Sequence, residues 1–175
     1  TQEYYDIFGN VVAVEKRNAQ NALLARTDFE YNATGHKLKQ VEHVVINGQI
    51  DHDYTITWEY EALDRIIKLT EQPGTAEEKV TSYTYDASGR MLTLTKPDGV
   101  VLKHDYDALG RLTSLSSSDS TVSYAYTYDR NNNPVEVVDE RNDFTSLYTY
   151  DRWNRTLSDG LKNKIFQSFT YDALG

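Results

Sequence analysis

One short phrase recurs along the whole chain. It consists of a tyrosine, an acidic or amide residue directly after it, and a Gly, Asn or Asp four positions after the tyrosine. It is clearest in YTYDASGRML, HDYDALGRL and FTYDALG. The tyrosines of its eight copies are separated by 26, 29, 25, 21, 22, 22 and 21 residues. A period of this length indicates a repeat architecture, so we expect residues 1–175 to form a single array of about seven complete repeats and the start of an eighth.

Two columns of the phrase predict a tight turn. Gly, Asn and Asp, which fill the fourth column, are the residues that tolerate a positive φ. Asp or Asn directly after the tyrosine can accept hydrogen bonds from the backbone N–H groups ahead of it. A type I turn followed by a left-handed residue and a bulge fits both columns. The predicted turn residues are Asp6, Gly9, Gly35, Asp64, Asp86, Gly89, Asp107, Gly110, Asp129, Asn132, Asp151, Asn154, Asp172 and Gly175.

The flanks of the phrase alternate between aromatic or apolar and polar residues, which predicts a strand on each side of the turn. Asn-Gly, Asp-Gly and Ser-rich segments then reverse the chain between copies. The fold class is therefore all-β, an antiparallel strip of repeated hairpins with two strands per repeat. Aromatic side chains at matching positions are expected to stack. They are Tyr31, Trp58, Tyr60, Tyr83, Tyr85, Tyr106, Tyr126, Tyr128, Tyr148, Tyr150, Phe169 and Tyr171.

The longest hairpin is predicted from about Lys37 to Tyr60 around Asn47-Gly48. Strict pairing sets Lys39 opposite Ile56, so we expect a bulge near residues 38–41. The same pairing places His43 opposite His52. Two facing imidazoles can bind zinc, but a site needs further ligands, so no metal site is predicted.

Composition excludes several classes of function. A net charge of -9 argues against nucleic-acid binding, which requires clusters of Lys and Arg. No apolar run is long enough to span a membrane, and the absence of cysteine removes disulfides and thiol chemistry. No motif for a cofactor is present. Because the chain starts at Thr1 and stops within a copy of the phrase, we expect it to be a piece of a longer protein.

The phrase Tyr-Asp-x-x-Gly-Arg at spacings near 21 resembles the YD repeat of the RHS family, most closely over residues 85–92 and 106–112. The resemblance implies a curved segment of a spiral β-sheet that forms the wall of a hollow shell. In bacterial polymorphic toxins and insecticidal toxin complexes such a shell encloses a C-terminal toxic domain, and animal teneurins use a similar shell in adhesion. It implies a secreted or cell-surface bacterial parent protein, although this fragment carries no targeting signal.

Three functions follow as hypotheses. The first is a non-enzymatic structural segment whose partners are the remaining repeats of the shell and its enclosed C-terminal domain. The second is a cell-surface adhesion or carbohydrate-binding module that uses exposed aromatic turns, with Trp153 as the candidate for partner contact. The third, a glycoside-acting enzyme, lacks a unique pair of acids. Unpaired strand edges also predict edge-to-edge self-association of the fragment.

Overall fold

The computed structural model describes residues 1–162 and 164–172, and the predicted Gly175 lies outside them. The described residues form strands and turns without a helix. The fifteen strands are β1 Gln2–Tyr5, β2 Val11–Arg17, β3 Leu23–Tyr31, β4 Lys37–Ile46, β5 Gln49–Tyr60, β6 Ile66–Glu71, β7 Lys79–Tyr85, β8 Met91–Thr95, β9 Val101–Tyr106, β10 Leu112–Ser117, β11 Ser123–Tyr128, β12 Pro134–Asp139, β13 Phe144–Tyr150, β14 Thr156–Leu161 and β15 Lys164–Ser168.

The chain divides into two compact units, and the division falls within β7, between Tyr83 and Thr84. In the first unit β1 to β7 pair in sequence order, each strand antiparallel to the next. In the second unit β8 to β15 do the same. The predicted all-β fold of consecutive antiparallel hairpins is confirmed. Since each hairpin pairs with its sequence neighbour, no long crossover connection is needed.

The two kinds of turn differ in how constant they are. Every motif turn among the described strands has five residues, between the end of one strand and the start of the next. The second turn of each repeat ranges from two residues, at Asn47-Gly48, to seven, at residues 72–78. The uneven spacing of the tyrosines therefore arises in the second turn and in strand length, while the motif turn is constant.

The motif turns contain the left-handed residue that the phrase requires. This residue has a φ between 61° and 87° in all seven described motif turns. Asp64, Asn132 and Asn154 adopt this conformation with side chains that tolerate it. The strand register shifts by one residue beside the motif tyrosine in six of these hairpins, as at Thr127/Tyr128. This is the bulge expected of a type I turn that is followed by a left-handed residue.

The longest hairpin is formed by β4 and β5, as predicted, but the prediction of its register is wrong. Between β4 and β5 the bulge lies at Val44/Val45, near the turn, whereas the bulge at Leu38 belongs to the pairing of β4 with β3. Lys39 consequently pairs with Thr57. His43 pairs with Asp53, while Val44 pairs with His52, so the two imidazoles do not face each other. Among residues 1–162 and 164–172, no group of three or more His, Asp or Glu is arranged to hold a metal ion.

Few side chains are buried. Ala13, Glu15 and Thr70, each at most 6% exposed, are the buried residues of the described chain. Most strand residues are half-buried, because a sheet one layer thick covers each side chain only by its neighbours in the same layer. Stability must therefore come from strand pairing and from contacts along the sheet surface to a greater extent than from a central core.

The left-handed turn residue makes a testable prediction. Gly110→Ala forces a Cβ onto a φ of +84° and brings it within 3.3 Å of Arg90 Nη1, so we expect a loss of about 1–2 kcal/mol in the free energy of unfolding. Gly35→Ala has the same φ but open space around the new Cβ, and it isolates the backbone contribution. Gly110→Asn should cost less than Gly110→Ala. Urea unfolding of the three variants checks this, and an Ala variant as stable as the wild type would contradict it.

Candidate functional site

The repeated site of this chain is the motif turn together with its contact to the next repeat. In the turn at residues 107–111, Asp107 Oδ1 accepts hydrogen bonds from the backbone N–H groups of Leu109 and Arg111, both at 2.9 Å. The carbonyl of Asp107 also accepts from the Gly110 N–H at 3.0 Å, which closes the type I turn. One carboxylate therefore fixes the whole five-residue loop.

The same pattern of bonds occurs in the other motif turns. Asp6, Asp86, Asp129 and Asp151 each accept from the N–H groups two and four residues ahead, at 2.8–2.9 Å. Asn32 makes the equivalent bonds with its amide oxygen, at 3.1 and 2.8 Å. Glu61 has a longer side chain and instead pairs with the guanidinium of Arg65. The aspartates are used one per turn, each within its own loop.

The electrostatics of the turns follow from these bonds. For Asp107 the largest cause is the hydrogen bond from the Arg111 N–H, which lowers the pKa. For Asp129 it is the side-chain amide of Asn133. Burial has the largest single influence on Asp151 and raises its pKa, but the hydrogen bonds outweigh it. The pKa is therefore lowered from its ordinary value of 3.8 in Asp6, Asp86, Asp107, Asp129 and Asp151.

The motif tyrosine connects its own repeat to the preceding one. The Tyr128 hydroxyl donates a hydrogen bond of 2.9 Å to the carbonyl of Leu112. Leu112 is the first residue of β10, the second strand of the previous repeat. The acceptor always lies two residues after the left-handed position of the previous turn. The other described pairs are Tyr31 to Val11, Tyr60 to Lys37, Tyr106 to Met91, Tyr150 to Pro134 and Tyr171 to Thr156, at 2.8–3.0 Å.

The motif arginine completes this connection from the other side. Arg111 Nε donates to Asp107 of its own turn at 2.7 Å, and its Nη1 donates to the carbonyl of Asp129 in the next turn at 3.0 Å. Its guanidinium lies 4.8 Å from the ring centroid of Tyr128, a cation–π contact. The motif arginine therefore pairs with its own aspartate and with the neighbouring repeat.

Arg90 and Arg155 occupy equivalent positions. Arg90 binds Asp86 at 2.6 Å and the carbonyl of Asp107 at 3.3 Å, with its guanidinium 4.9 Å from the ring of Tyr106. Arg155 binds Asp151 at 2.7 Å and lies 4.2 Å from the ring of Tyr171.

Repeats without the arginine have another planar side chain at the same turn position, directly after the left-handed residue. His36 packs its ring against Tyr60, with centroids 5.2 Å apart. Asn133 donates to its own Asp129 at 3.0 Å and to Asn154 of the next turn at 2.9 Å. The whole column holds only planar hydrogen-bonding side chains: Asn10, His36, Arg65, Arg90, Arg111, Asn133 and Arg155. This shared property is visible when the copies of the phrase are aligned.

The aromatic residues lie on the strands that precede the motif turns. Tyr31, Tyr60, Tyr85, Tyr106, Tyr128 and Tyr150 end their strands, and Trp58, Tyr83, Tyr126 and Tyr148 stand two residues earlier. Phe169 and Tyr171 follow β15 and are 38% and 39% exposed. The recorded ring pairs of the described chain are Phe29–Tyr31 and Tyr124–Tyr126, each along one strand, and His36–Tyr60.

These pairs differ from the expected stack of motif rings from one repeat to the next. Motif tyrosines occur on every second strand, so consecutive rings are separated by about two strand spacings, or roughly 9.5 Å. In the second unit a guanidinium can lie beside the motif ring, as that of Arg111 does beside Tyr128. At three turns of the second unit the contact between consecutive repeats is therefore between arginine and tyrosine.

Trp153, the residue predicted to contact a partner, lies in a motif turn and is 60% exposed. Two guanidinium groups lie against its ring, Arg152 at 3.8 Å and Arg155 at 4.9 Å from the centroid. The equivalent turn position holds Phe8, Leu63 and Leu109, which are 83%, 69% and 74% exposed. Trp153 is thus one of four large apolar side chains exposed at this position of the described motif turns.

Comparisons with known proteins agree with this repeat. The family model described as RHS Repeat matches residues 68–101 and 106–143. These two segments, which make up the central part of the chain, are similar to RHS repeats. A comparison of the sequence with curated proteins finds no match.

Among solved structures, a TcdB2–TccC3–Cdc42 complex aligns with 88% of this chain and 11% of its own, at 16% identity and a TM-score of 0.48. A Tc holotoxin pore of Photorhabdus luminescens aligns with 86% of this chain and 10% of its own, at 17% identity and a TM-score of 0.44. A porin-like protein of Bacteroides uniformis aligns with 77% and 80%, at 13% identity and a TM-score of 0.34. The chain spans about a tenth of the length of the first two.

The role of the turn carboxylate can be tested with Asp107. Asp107→Asn keeps an oxygen for the two N–H groups but loses the charge beside Arg111, whereas Asp107→Ala loses both. At neutral pH we expect the free energy of unfolding to fall in the order wild type, Asn, Ala. The pKa of Asp107 is lowered in the folded protein. Its contribution to the free energy of unfolding is therefore complete above pH 3.8 and is lost as the pH falls through the folded pKa.

Urea unfolding measured from pH 7 into the acid range checks both expectations. The wild type should lose more stability below pH 3.8 than Asp107→Asn does. Equal acid sensitivity of the two proteins would contradict the assignment.

Proposed function

We propose that the chain is a non-enzymatic segment of the wall of an RHS-type shell, which encloses a C-terminal domain in the parent protein. The observation that carries the proposal is the contact between consecutive repeats. Five motif turns are fixed by their own aspartate, and a tyrosine hydroxyl and a planar side chain connect a turn to the next repeat, as at Arg111 and Tyr128. Such a unit can be extended copy by copy, which is what a wall requires.

The distribution of polar groups supports a structural role. Asp86, Asp107 and Asp151 accept hydrogen bonds within their own turns, and their pKa values are lowered. A general acid in glycoside hydrolysis needs the opposite, a raised pKa.

No helix in the described part of the chain is long and apolar enough to cross a membrane. We propose that the segment acts outside the cell that makes it, with the other repeats and the enclosed domain as its partners.

The outer strand β1 supports the proposal that further sheet adjoins the segment. All four of its residues are exposed, including Tyr4 at 39% and Tyr5 at 58%. An outer strand presents backbone N–H and C=O groups that another strand can pair with. In the parent protein we propose that a neighbouring repeat occupies this edge, and in the isolated fragment a second copy.

Enclosure can be tested by limited proteolysis of the parent protein. We expect its C-terminal domain to resist a protease that digests the same domain when it is expressed alone. The double variant Arg111→Ala/Tyr128→Leu removes the side-chain contacts between two consecutive repeats and leaves the backbone pairing of β10 with β11. It should accelerate the digestion of the enclosed domain. Glu77→Ala, in an exposed second turn, is the matched control and should leave protection unchanged. A wild-type domain that is cleaved as fast as the isolated domain would exclude enclosure.

A second candidate function rests on the exposed turn residue Trp153. An exposed indole flanked by two guanidinium groups can stack on a sugar ring while the arginines bind its acidic substituents. Adhesion through this turn predicts glycan-array binding that is lost in Trp153→Ala. Leu109→Ala, at the equivalent exposed position of an earlier turn, is the control. Absence of glycan binding by the wild type excludes adhesion through this turn, and the structural role in the shell wall then stands alone.

A further inference from the structure

His43 is held at both of its ring nitrogens. It lies on β4, the middle strand of three, and its side chain is 12% exposed. Its Nε2 is 2.8 Å from Asp28 Oδ2 on β3, and its Nδ1 is 2.6 Å from Asp53 Oδ1 on β5. The bulge at Val44/Val45 produces this arrangement, because it brings Asp53 opposite His43.

The two contacts define the protonation state. A neutral imidazole has one donor nitrogen and one acceptor nitrogen, whereas an ionised carboxylate can only accept. A neutral ring would therefore direct a lone pair at one of the two carboxylates. Only the imidazolium donates to both. We infer that His43 is an imidazolium that clamps β3, β4 and β5 together in a pH-dependent way.

The surrounding charges support this state. Arg26 pairs directly opposite His43 on β3, and it donates to Asp28 at 2.9 Å and to Glu15 on β2 at 3.0 Å. Glu15 is 4% exposed and also binds the guanidinium of Arg17 at 2.9 Å and the hydroxyl of Tyr4 at 3.2 Å.

With a protonated His43, the cluster contains three carboxylates and three cations: Glu15, Asp28, Asp53, Arg17, Arg26 and His43. A neutral His43 leaves one negative charge in excess. Further along β5, Asp51 is paired with His52 at 2.8 Å.

The direction of the pH dependence follows. Burial lowers the pKa of His43, but the hydrogen bonds to Asp28 and Asp53 outweigh burial, so the pKa is raised above its ordinary value of 6.5. Because the pKa of His43 is raised in the folded protein, its contribution to the free energy of unfolding is complete below pH 6.5. This contribution is lost as the pH rises through the folded pKa. The imidazolium clamp is therefore present at pH 6.5 and is released as the pH rises through the folded pKa of His43.

Release affects the outer part of the β4–β5 hairpin. Beyond the clamp lie the bulge and the Asn47-Gly48 turn, with Val44, Ile46 and Ile50 at 37%, 51% and 47% exposed. This segment has little apolar cover to hold it. Deprotonation of His43 should therefore loosen the outer hairpin before it affects other strands.

NMR titration of the imidazole signals tests the inference on the whole chain. We expect the His43 midpoint above 6.5 in the wild type and a lower midpoint in both Asp28→Asn and Asp53→Asn. Amide exchange of residues 43–46, corrected for its intrinsic pH dependence, should accelerate as the pH passes this midpoint. His43→Gln, which cannot become charged, should remove that acceleration and the accompanying loss of unfolding free energy.

A His43 midpoint at or below 6.5 in the folded wild type would overturn the proposal. So would exchange in residues 43–46 with the same corrected pH dependence in the wild type and His43→Gln. If His43→Gln does not fold, the titrations of the wild type and Asp53→Asn decide the question alone.

Discussion

The structure depends on the hydrogen bond from each motif tyrosine to a carbonyl of the preceding repeat. A neutral hydrogen bond of this kind contributes about 0.5–1.5 kcal/mol, and an exposed cation–π contact about 0.5–1 kcal/mol more. Neither is large, but the hydrogen bond recurs along the array and the cation–π contact recurs at Arg90, Arg111 and Arg155. They have a large share in the stability of a sheet in which only Ala13, Glu15 and Thr70 are buried among the described residues. The predominance of tyrosine over phenylalanine, 14 against 5, follows from this use of the hydroxyl.

The turn makes this contact possible. The carboxylate of Asp107 fixes five residues, the left-handed Gly110 ends the turn, and the bulge beyond it sets Leu112 at the position that the Tyr128 hydroxyl reaches. Arg111, in the same loop, is oriented by Asp107 toward the next repeat. One local device thus determines both the shape of the hairpin and its attachment to the following hairpin. Length can vary in the second turn, because no contact of this type depends on it.

The fold could be predicted from the sequence because the turn chemistry is local. Asp107 and Gly110 specify a turn whatever surrounds them, and alternation along β5 specifies a strand. Two features could not be predicted. The bulge at Val44/Val45 depends on how β4 pairs simultaneously with β3 and β5, and strict pairing of one hairpin places His43 opposite the wrong residue. The partner of the Tyr128 hydroxyl is a carbonyl on the adjacent strand β10, in the preceding repeat, and the alternation within a single strand does not specify it.

The most direct test of this account is a double-mutant cycle between Arg111→Ala and Tyr128→Leu, followed by urea unfolding. The account predicts a coupling of about 0.5 kcal/mol or more, because the two side chains meet across consecutive repeats. The same cycle between Arg111→Ala and Tyr150→Leu, one repeat further along, serves as the reference and should be additive. Additivity within about 0.3 kcal/mol for Arg111 and Tyr128 as well would contradict the claim that this contact joins the repeats.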